Sequence, residues 1–278
     1  MHRLAGMYHP ITGTPYQQDE TYMEVPPCDA LKPYIRCFWG TKRPVRPKDV
    51  APTCGLVIPD TCMDVIFDIN YTKNTLFSTF CGMDDTSQIT HGHTAMDETA
   101  TFGIRFYAWT AVLFADGGLQ NTRNARMDGE AFSKAIRKAL MPCMFDCKTM
   151  EEKIRMAERL LLKRLEKGTA QGDFLNAVYR ILESRGQEKI SGLTQYTGIS
   201  ARKMERDFER MMGISPKAFS SLVRYQLMWQ EMAFSPSFST LDMVEKYGYT
   251  DQAHLLHDFK KRHLMTPVEA VKFARERR

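Results

Sequence analysis

The chain has 278 residues, 43% of them hydrophobic and 26% charged, with 38 basic against 33 acidic side chains and a formal net charge of +5. That length can bury two cores, so two domains are expected. No apolar run approaches the roughly 18 to 20 residues of a membrane helix and the N-terminus lacks a signal-peptide core, which excludes a membrane-spanning class and predicts a soluble, cytoplasmic protein.

From the N-terminus to about residue 127 prolines and glycines punctuate short apolar or alternating runs: YIRCFWG at 34–40, GLVIPDTCMDVIFDINY at 55–71, TLFSTFCG at 75–82 and ATFGIRFYAWTAVLF at 100–114. Runs of this kind with turn signals between them predict an antiparallel sheet, in a barrel or a sandwich. Phe38, Trp39, Phe67, Phe102, Phe106 and Trp109 supply the aromatic surface that a small-molecule pocket uses; the other reading of each ring is that it fills the core. In HGHTAMDE (91–98), His91 and His93 would share one face of a strand with Glu98 close by. No histidine follows until His254, so the set lacks a fourth ligand and no metal is assigned.

From about Asp128 to Gly168 the spacing becomes helical, with Phe132, Ile136 and Leu140, then Ile154, Leu161 and Leu165 on apolar faces. Those stripes suit packing on the sheet or pairing of two protomers. Seven cysteines at irregular spacing, with no CxxC pair, indicate reduced thiols. Cys143 and Cys147, one helical turn apart, could serve a thiol or metal sensor, although buried cysteines also behave as small hydrophobes.

The C-terminal part writes one phrase twice. GISARKMERDFERMMGISP (198–216) and GYTDQAHLLHDFKKRHLMTP (248–267) share Asp207 and Asp258, Phe208 and Phe259, and Pro216 and Pro267 at an offset of 51 residues. Each copy opens on a glycine and delivers a hydroxyl as helix N-cap, Ser200 and Thr250. Behind each cap an apolar face follows, Met204, Phe208 and Met211 in the first copy and Leu255, Phe259 and Leu264 in the second. Shorter helical patterns, 190–197 and 240–247, precede the two turns, so each copy reads as helix, glycine turn, helix. Leu264 stands where the first copy has Gly213; a left-handed leucine there costs on the order of 1 kcal/mol, and a remodelled turn is the alternative.

Residues from about 173 to 275 resemble the double helix-turn-helix module of AraC/XylS-type transcription regulators. The resemblance rests on LTQYTGIS (193–200), FERMMGISP (208–216), Arg224 and above all GYTDQAHLLHDFKKRHLMTP. PPCDALKPYIRCFW, IPDTCMDVIFDI and GIRFYAW also resemble the cupin-like sensory domain of one branch of these regulators. The resemblance implies an α+β chain of two domains: a β-rich cupin-like barrel (1–127) with a helical linker and possible dimerisation region (128–172), then an all-α double helix-turn-helix domain (173–278). It implies a non-enzymatic homodimer without cofactor, binding double-stranded DNA, controlled by a small-molecule effector and touching RNA polymerase. By position, Ser200, Arg202, Lys203, Glu205 and Arg206 in the first unit and Gln252, Ala253, Leu256, His257 and Lys260 in the second face DNA. Arg202, Glu205 and Arg206 match base-contacting places, and Lys203 a phosphate contact or a solvated charge. Because Ala253 and Leu256 cannot pair with a base edge, the first unit is expected to set most of the sequence preference.

Charge agrees with this. From Asp173 onward there are 17 Lys and Arg against 13 Asp and Glu, compared with 21 against 20 before it, and phosphate neutralisation rewards such a surplus. Two other classes fit the same residues: a cysteine-dependent DNA-modifying or repair enzyme targeted by the module, and a constitutive DNA-binding dimer without effector.

Overall fold

The computed structural model describes residues 1–17, 21–46, 54–91, 97–165 and 172–276. After a short helix α1 (His2–Met7) come β1 (Met23–Val25), β2 (Ile35–Gly40), β3 (Cys54–Val57), β4 (Cys62–Asn70), β5 (Thr75–Cys81), β6 (Gln88–His91) and β7 (Thr99–Tyr107). The helical turn α2 (Ala108–Ala111), β8 (Arg126–Asp128) and helices α3 (Gly129–Phe132), α4 (Lys134–Met144) and α5 (Met150–Leu165) complete the N-terminal half. The remainder is helical: α6 (Gly172–Glu183), α7 (Ile190–Thr197), α8 (Ala201–Met212), α9 (Pro216–Phe234), α10 (Thr240–Lys246), α11 (Gln252–His263) and α12 (Pro267–Arg275).

Six strands form one sheet in the order β1-β2-β7-β4-β5-β8, every pair antiparallel, and β3 and β6 form a separate two-stranded ribbon. Side-chain alternation explains the inner face. Met63, Val65 and Phe67 on β4 stand opposite Phe106, Ile104 and Phe102 on β7, and all six are buried. On the other face Asp64 stands opposite Arg105, which donates to both its carboxylate oxygens at 3.0 and 3.2 Å; Trp39 Nε1 donates to the same carboxylate at 2.7 Å. The Trp39 indole lies flat against Gly103, where a Cβ would come within 2.2 Å of the ring, so only glycine fits there.

The run predicted at 100–114 divides. The strand stops at Tyr107, where Thr110 Oγ1 donates to the carbonyls of Tyr107 and Tyr34, and Ala108–Ala111 wind into a buried helical turn. An apolar segment buried on all sides has no periodicity to tell strand from helix. The stripes at Phe132, Ile136 and Leu140 and at Ile154 and Leu161 are buried. They cover the sheet: the Phe80 and Phe132 rings stack with centroids 4.5 Å apart.

The hydrophobic core runs through the boundary expected at residue 173. One cluster extends from Leu4 through the sheet to Met204, Phe208 and Val223; a second joins Leu56 and Ile58 of the β-rich half to Tyr225, Trp229, Leu255 and Phe259. Helix α9 belongs to both, and its polar side chains grip the N-terminal segment. The buried Gln226 accepts from Ile11 N (2.9 Å) and donates to Ile11 O (3.1 Å) and Pro59 O (2.7 Å). Trp229 Nε1 donates to Thr12 O at 2.9 Å, and Tyr16 Oη to Ala233 O at 2.7 Å. Replacing Gln226 with Ala takes the side-chain partner from three backbone groups, Pro59 O in the interior and Ile11 N and O at its edge, and denaturant unfolding should show a loss of about 2 to 3 kcal/mol; an unchanged midpoint would contradict this role.

Candidate nucleic-acid interface

The first unit is built as its residues predict. Helix α7 ends on Gly198 in the left-handed region (φ 70°), whose amide bonds to Thr194 O at 2.9 Å. Two residues on, the Ser200 side chain accepts from Lys203 N at 3.3 Å and starts α8, so its hydroxyl serves the helix end as N-cap. Met204, Asp207, Phe208, Met211 and Met212 turn inward, whereas Arg202, Glu205 and Arg206 are exposed on the opposite face near the helix start. Among the described residues these three form no ion pair. Lys203, expected as a phosphate contact or a solvated charge, is tied down: its ammonium lies 2.8 Å from the Asp207 carboxylate and 3.5 Å from Asp173. The carboxylate bonds raise its pKa and hold the charge within the fold.

In the second unit the cap lies one residue later than predicted. Asp251, and not Thr250, accepts from His254 N at 2.8 Å and starts α11, because a carboxylate one position nearer the first turn reaches the orphan amide. Gln252, Ala253, His257 and Lys260 are exposed and Leu256 is half-buried. The inward face is Leu255, Phe259 and His263, not Leu264. Leu264 takes φ 60° at the helix end and is 45% exposed, so the left-handed turn is kept and its leucine side chain is turned out. Gly213 ends α8 in the same way at φ 71°, with no Cβ to clash with Leu119 O or Thr122.

Sequence reasoning overlooked what orients α11. Asp258 accepts from Tyr249 Oη at 2.8 Å and from Arg262, whose guanidinium also donates to Ser221 Oγ on α9 at 2.8 Å. The Arg224 guanidinium lies 4.3 Å from the centre of the Tyr249 ring. The available signal was the repeated aspartate: Asp207 anchors Lys203 four residues before it, and Asp258 anchors Arg262 four residues after it. Beyond these, buried His263 stacks on Phe259 (4.9 Å) and meets the Trp229 ring at a tilt (4.4 Å), with Nδ1 2.8 Å from Tyr225 Oη and, among the described residues, no partner for Nε2. Burial lowers its pKa to about 3.

The aromatic residues predicted to line an effector pocket fill the core. Phe38, Phe67, Phe102, Phe106 and Trp109 are fully buried. Phe102 packs on Phe38 and Phe67 at 5.8 and 6.4 Å, Phe106 on Phe114 at 4.9 Å and Trp109 on Tyr107 at 4.7 Å. Rings at these separations leave no space between them for a ligand. Trp39 is half-buried, bonded to Asp64 and held against Arg105 (5.4 Å). An open groove of about 570 Å³ lies instead on the C-terminal module, between residues 236–240 and α12, lined among others by Phe238, Val268, Val271 and Arg275. Of the histidine pair, His93 and the side chain of His91 lie outside the described residues. Among the described residues no helix is long and apolar enough to cross a membrane.

Comparison with known proteins matches residues 193–272 to the helix-turn-helix domain family and residues 23–128 to a domain of unknown function (DUF6597). The C-terminal module is of the AraC type, and the chain joins a β-sheet domain to it. No curated protein matches the chain in sequence. Among solved structures it resembles ToxT from Vibrio cholerae O395, at 10% identity over 91% of this chain and 96% of that one, with a TM-score of 0.39. ToxT from the same source bound to (E)-4-(8-methylnaphthalen-1-yl)but-3-enoic acid gives 9% identity over 91% and 99%, with a TM-score of 0.41. Overlap at this level assigns no site to this chain.

Two measurements check the geometry. Leu264→Gly should raise stability by up to about 1 kcal/mol, since glycine removes the left-handed penalty and exposes little apolar surface; a loss would mean that the leucine packs in solution. For His263 the unfolded chain binds a proton near pH 6.5 that the folded chain refuses until about pH 3. Stability therefore falls as pH drops through that window. His263→Phe should flatten that part of the stability profile relative to the parent.

Proposed function

We propose, from an AraC-type helix-turn-helix module at residues 193–272, that the protein is a sequence-specific DNA-binding transcription regulator in which α8 reads base edges. What supports this most directly is the exposure of Arg202, Glu205 and Arg206 at the start of α8, with no ion pair among the described residues to occupy them. Arg pairs bidentately with guanine and Glu accepts from cytosine. Lys203, anchored to Asp207, positions the helix and leaves reading to its neighbours. In α11, Gln252 and His257 are the hydrogen-bonding groups on the exposed face, Lys260 suits a phosphate, and Ala253 and Leu256 offer only apolar contact. The first unit then sets most of the preference, and the second adds affinity.

Residues 1–127 act as the sensory part, 128–172 as the connector and dimer contact, and 173–278 as the DNA-binding part. The grip of the N-terminal segment on α9 supports such coupling, because whatever alters the β-rich half alters the seat of both helix-turn-helix units. An effector or partner would act by binding one arrangement better than another and shifting the population toward it. Arg206→Ala should weaken binding to a selected duplex by about 1 to 3 kcal/mol while changing binding to random duplex far less. Titrations on both duplexes at one salt concentration test this, and equal losses on the two would defeat base reading by Arg206.

A further inference from the structure

Helices α8 and α11 each end on a carbonyl that the β-rich half occupies. The last four carbonyls of an α-helix have no amide of their own helix to accept from, so they need other donors. In α8 (Ala201–Met212) one of the four is Arg210 O, and it accepts from Leu119 N at 2.7 Å. In α11 (Gln252–His263) one of the four is Arg262 O, and it accepts from the Ser87 hydroxyl, with Tyr225 Oη farther off at 3.5 Å. The two places nearly coincide in the repeat, whose offset carries Arg210 to Lys261.

The two donors belong to one piece of the fold. Leu119 sits in a buried turn that Thr122 closes by donating from Oγ1 to Leu119 O at 2.6 Å. That turn lies against the end of α8, where a Cβ on Gly213 would come within 2.5 Å of Thr122 Oγ1 and 2.6 Å of Leu119 O. It lies as close to the segment after β5, since a Cβ on Gly82 would fall 1.8 Å from Thr122 O. Gly82 N donates to Ala125 O at 3.1 Å and Asn124 N to Met83 O at 3.0 Å. Asn124 and Asp85 are joined twice, by Asp85 N to Asn124 Oδ1 at 2.9 Å and by Asn124 Nδ2 to the carboxylate at 2.6 Å. Arg123 and Arg126 pair with Asp85 and Asp84. Ser87 follows two residues after Asp85, and β6 begins directly beyond it. Strand β6 pairs with β3, whose Leu56 joins the cluster of Leu255 and Phe259 on α11.

Residues 82–87 and 118–126 therefore tie the C-terminal ends of α8 and α11 to one body. The two units also share α9: Phe219 meets Phe208 at 6.1 Å near its start, and Trp229 meets Phe259 at 6.2 Å farther along. One helix fixes the separation of two units packed along it, whereas rotation of a unit about that helix is resisted chiefly by side-chain packing. A tie outside α9 resists the rotation directly. It also leaves the reading side chains free, because Arg202, Glu205, Arg206, Gln252 and His257 lie in the first half of each helix and are exposed.

We propose that this brace sets the pitch of α11 relative to α8, which makes Ser87, Leu119 and Thr122 positioning residues for DNA although none of them belongs to a reading helix. The inference rests on the assignment of α8 and α11 as base readers. Two such helices enter successive major grooves roughly 34 Å apart. A turn of duplex holds about 10 to 10.5 base pairs, so one pair inserted between the two read stretches rotates one against the other by about 35°. To follow, the second unit must turn and the brace must give. The brace selects spacing, and base identity is left to the reading side chains.

The test uses the full chain and a duplex that it selects from random DNA, beside the same duplex with one base pair inserted or removed between the two read stretches. The parent should bind the altered spacings at least about 10-fold more weakly, the scale of a lost base contact. Ser87→Ala combined with Asn124→Gly removes the hydroxyl and both bonds between Asn124 and Asp85, and glycine keeps the left-handed backbone at residue 124 (φ 53°). That variant should bind the selected duplex within about 3-fold of the parent yet lose only about 2-fold on the altered spacings, because bonds already absent need not be broken. Ser87→Thr alone keeps the hydroxyl and should keep the parent's spacing penalty. A parent that prefers the selected duplex but shares one spacing penalty with the double variant overturns the brace and spares base reading. A parent that binds selected and random duplex alike overturns base reading, and the positioning role with it. Without DNA, the Leu119 amide of the parent should exchange with deuterium far more slowly than an unprotected amide; exchange at the unprotected rate overturns the brace even where the variant does not fold.

Discussion

The interaction on which the rest of the structure depends is the hold of Gln226 on the N-terminal segment. An amide side chain in the middle of a helix has two donors and an acceptor, and here the interior supplies three backbone groups that need them: Ile11 N, Ile11 O and Pro59 O. Gln226 itself is buried, Pro59 O meets it in the interior and Ile11 at its edge, so the match is strongly favoured once the two halves come together. Around it Trp229, Tyr225 and Met228 bury their rings and thioether against Leu56 and Ile58 as well as against α11. Helix α9, which runs from one helix-turn-helix unit to the other, is thus also the seat of the β-rich half.

The second constraint lies in the sheet. Arg105 is buried among Asp64, Asp60 and Glu24, with separations of 3.0, 3.2 and 3.8 Å. One guanidinium so placed is shared by three carboxylates, and removing Arg105 would leave several of them buried without compensation. Burial pushes Asp60 up to about 6, against the pull of Arg105. Asp60 directly follows Pro59, whose carbonyl receives Gln226, so the charged face of the sheet and the grip on α9 meet at one corner of the fold.

Much of the candidate interface was legible in the residues because it is local. A glycine at φ 70°, a serine two residues later and apolar residues four apart specify a turn, a cap and a face without help from elsewhere. Where a prediction shifted, a neighbour in sequence had outcompeted the expected residue, as Asp251 did Thr250 at the cap and His263 did Leu264 on the buried face. Lys203 differs. Its exposure could not be judged from α8 alone, because one of its two carboxylates, Asp173, arrives from α6.

What the sequence by itself determined is the set of elements whose hydrogen bonds close within a few residues: the caps, the repeated helix-turn-helix units and the alternation along β4 and β7. Only the tertiary structure decided which apolar and polar groups meet across long separations. It sent Phe38, Phe67 and Phe102 into a packed core, where their spacing alone also allowed an open pocket. It stopped the strand at Tyr107, joined Leu56 to a cluster with Phe259, and left Lys153 Nζ buried with no hydrogen-bond partner among the described residues. Periodicity records that a residue faces inward; what it faces depends on how distant elements pack, and nothing local encodes that.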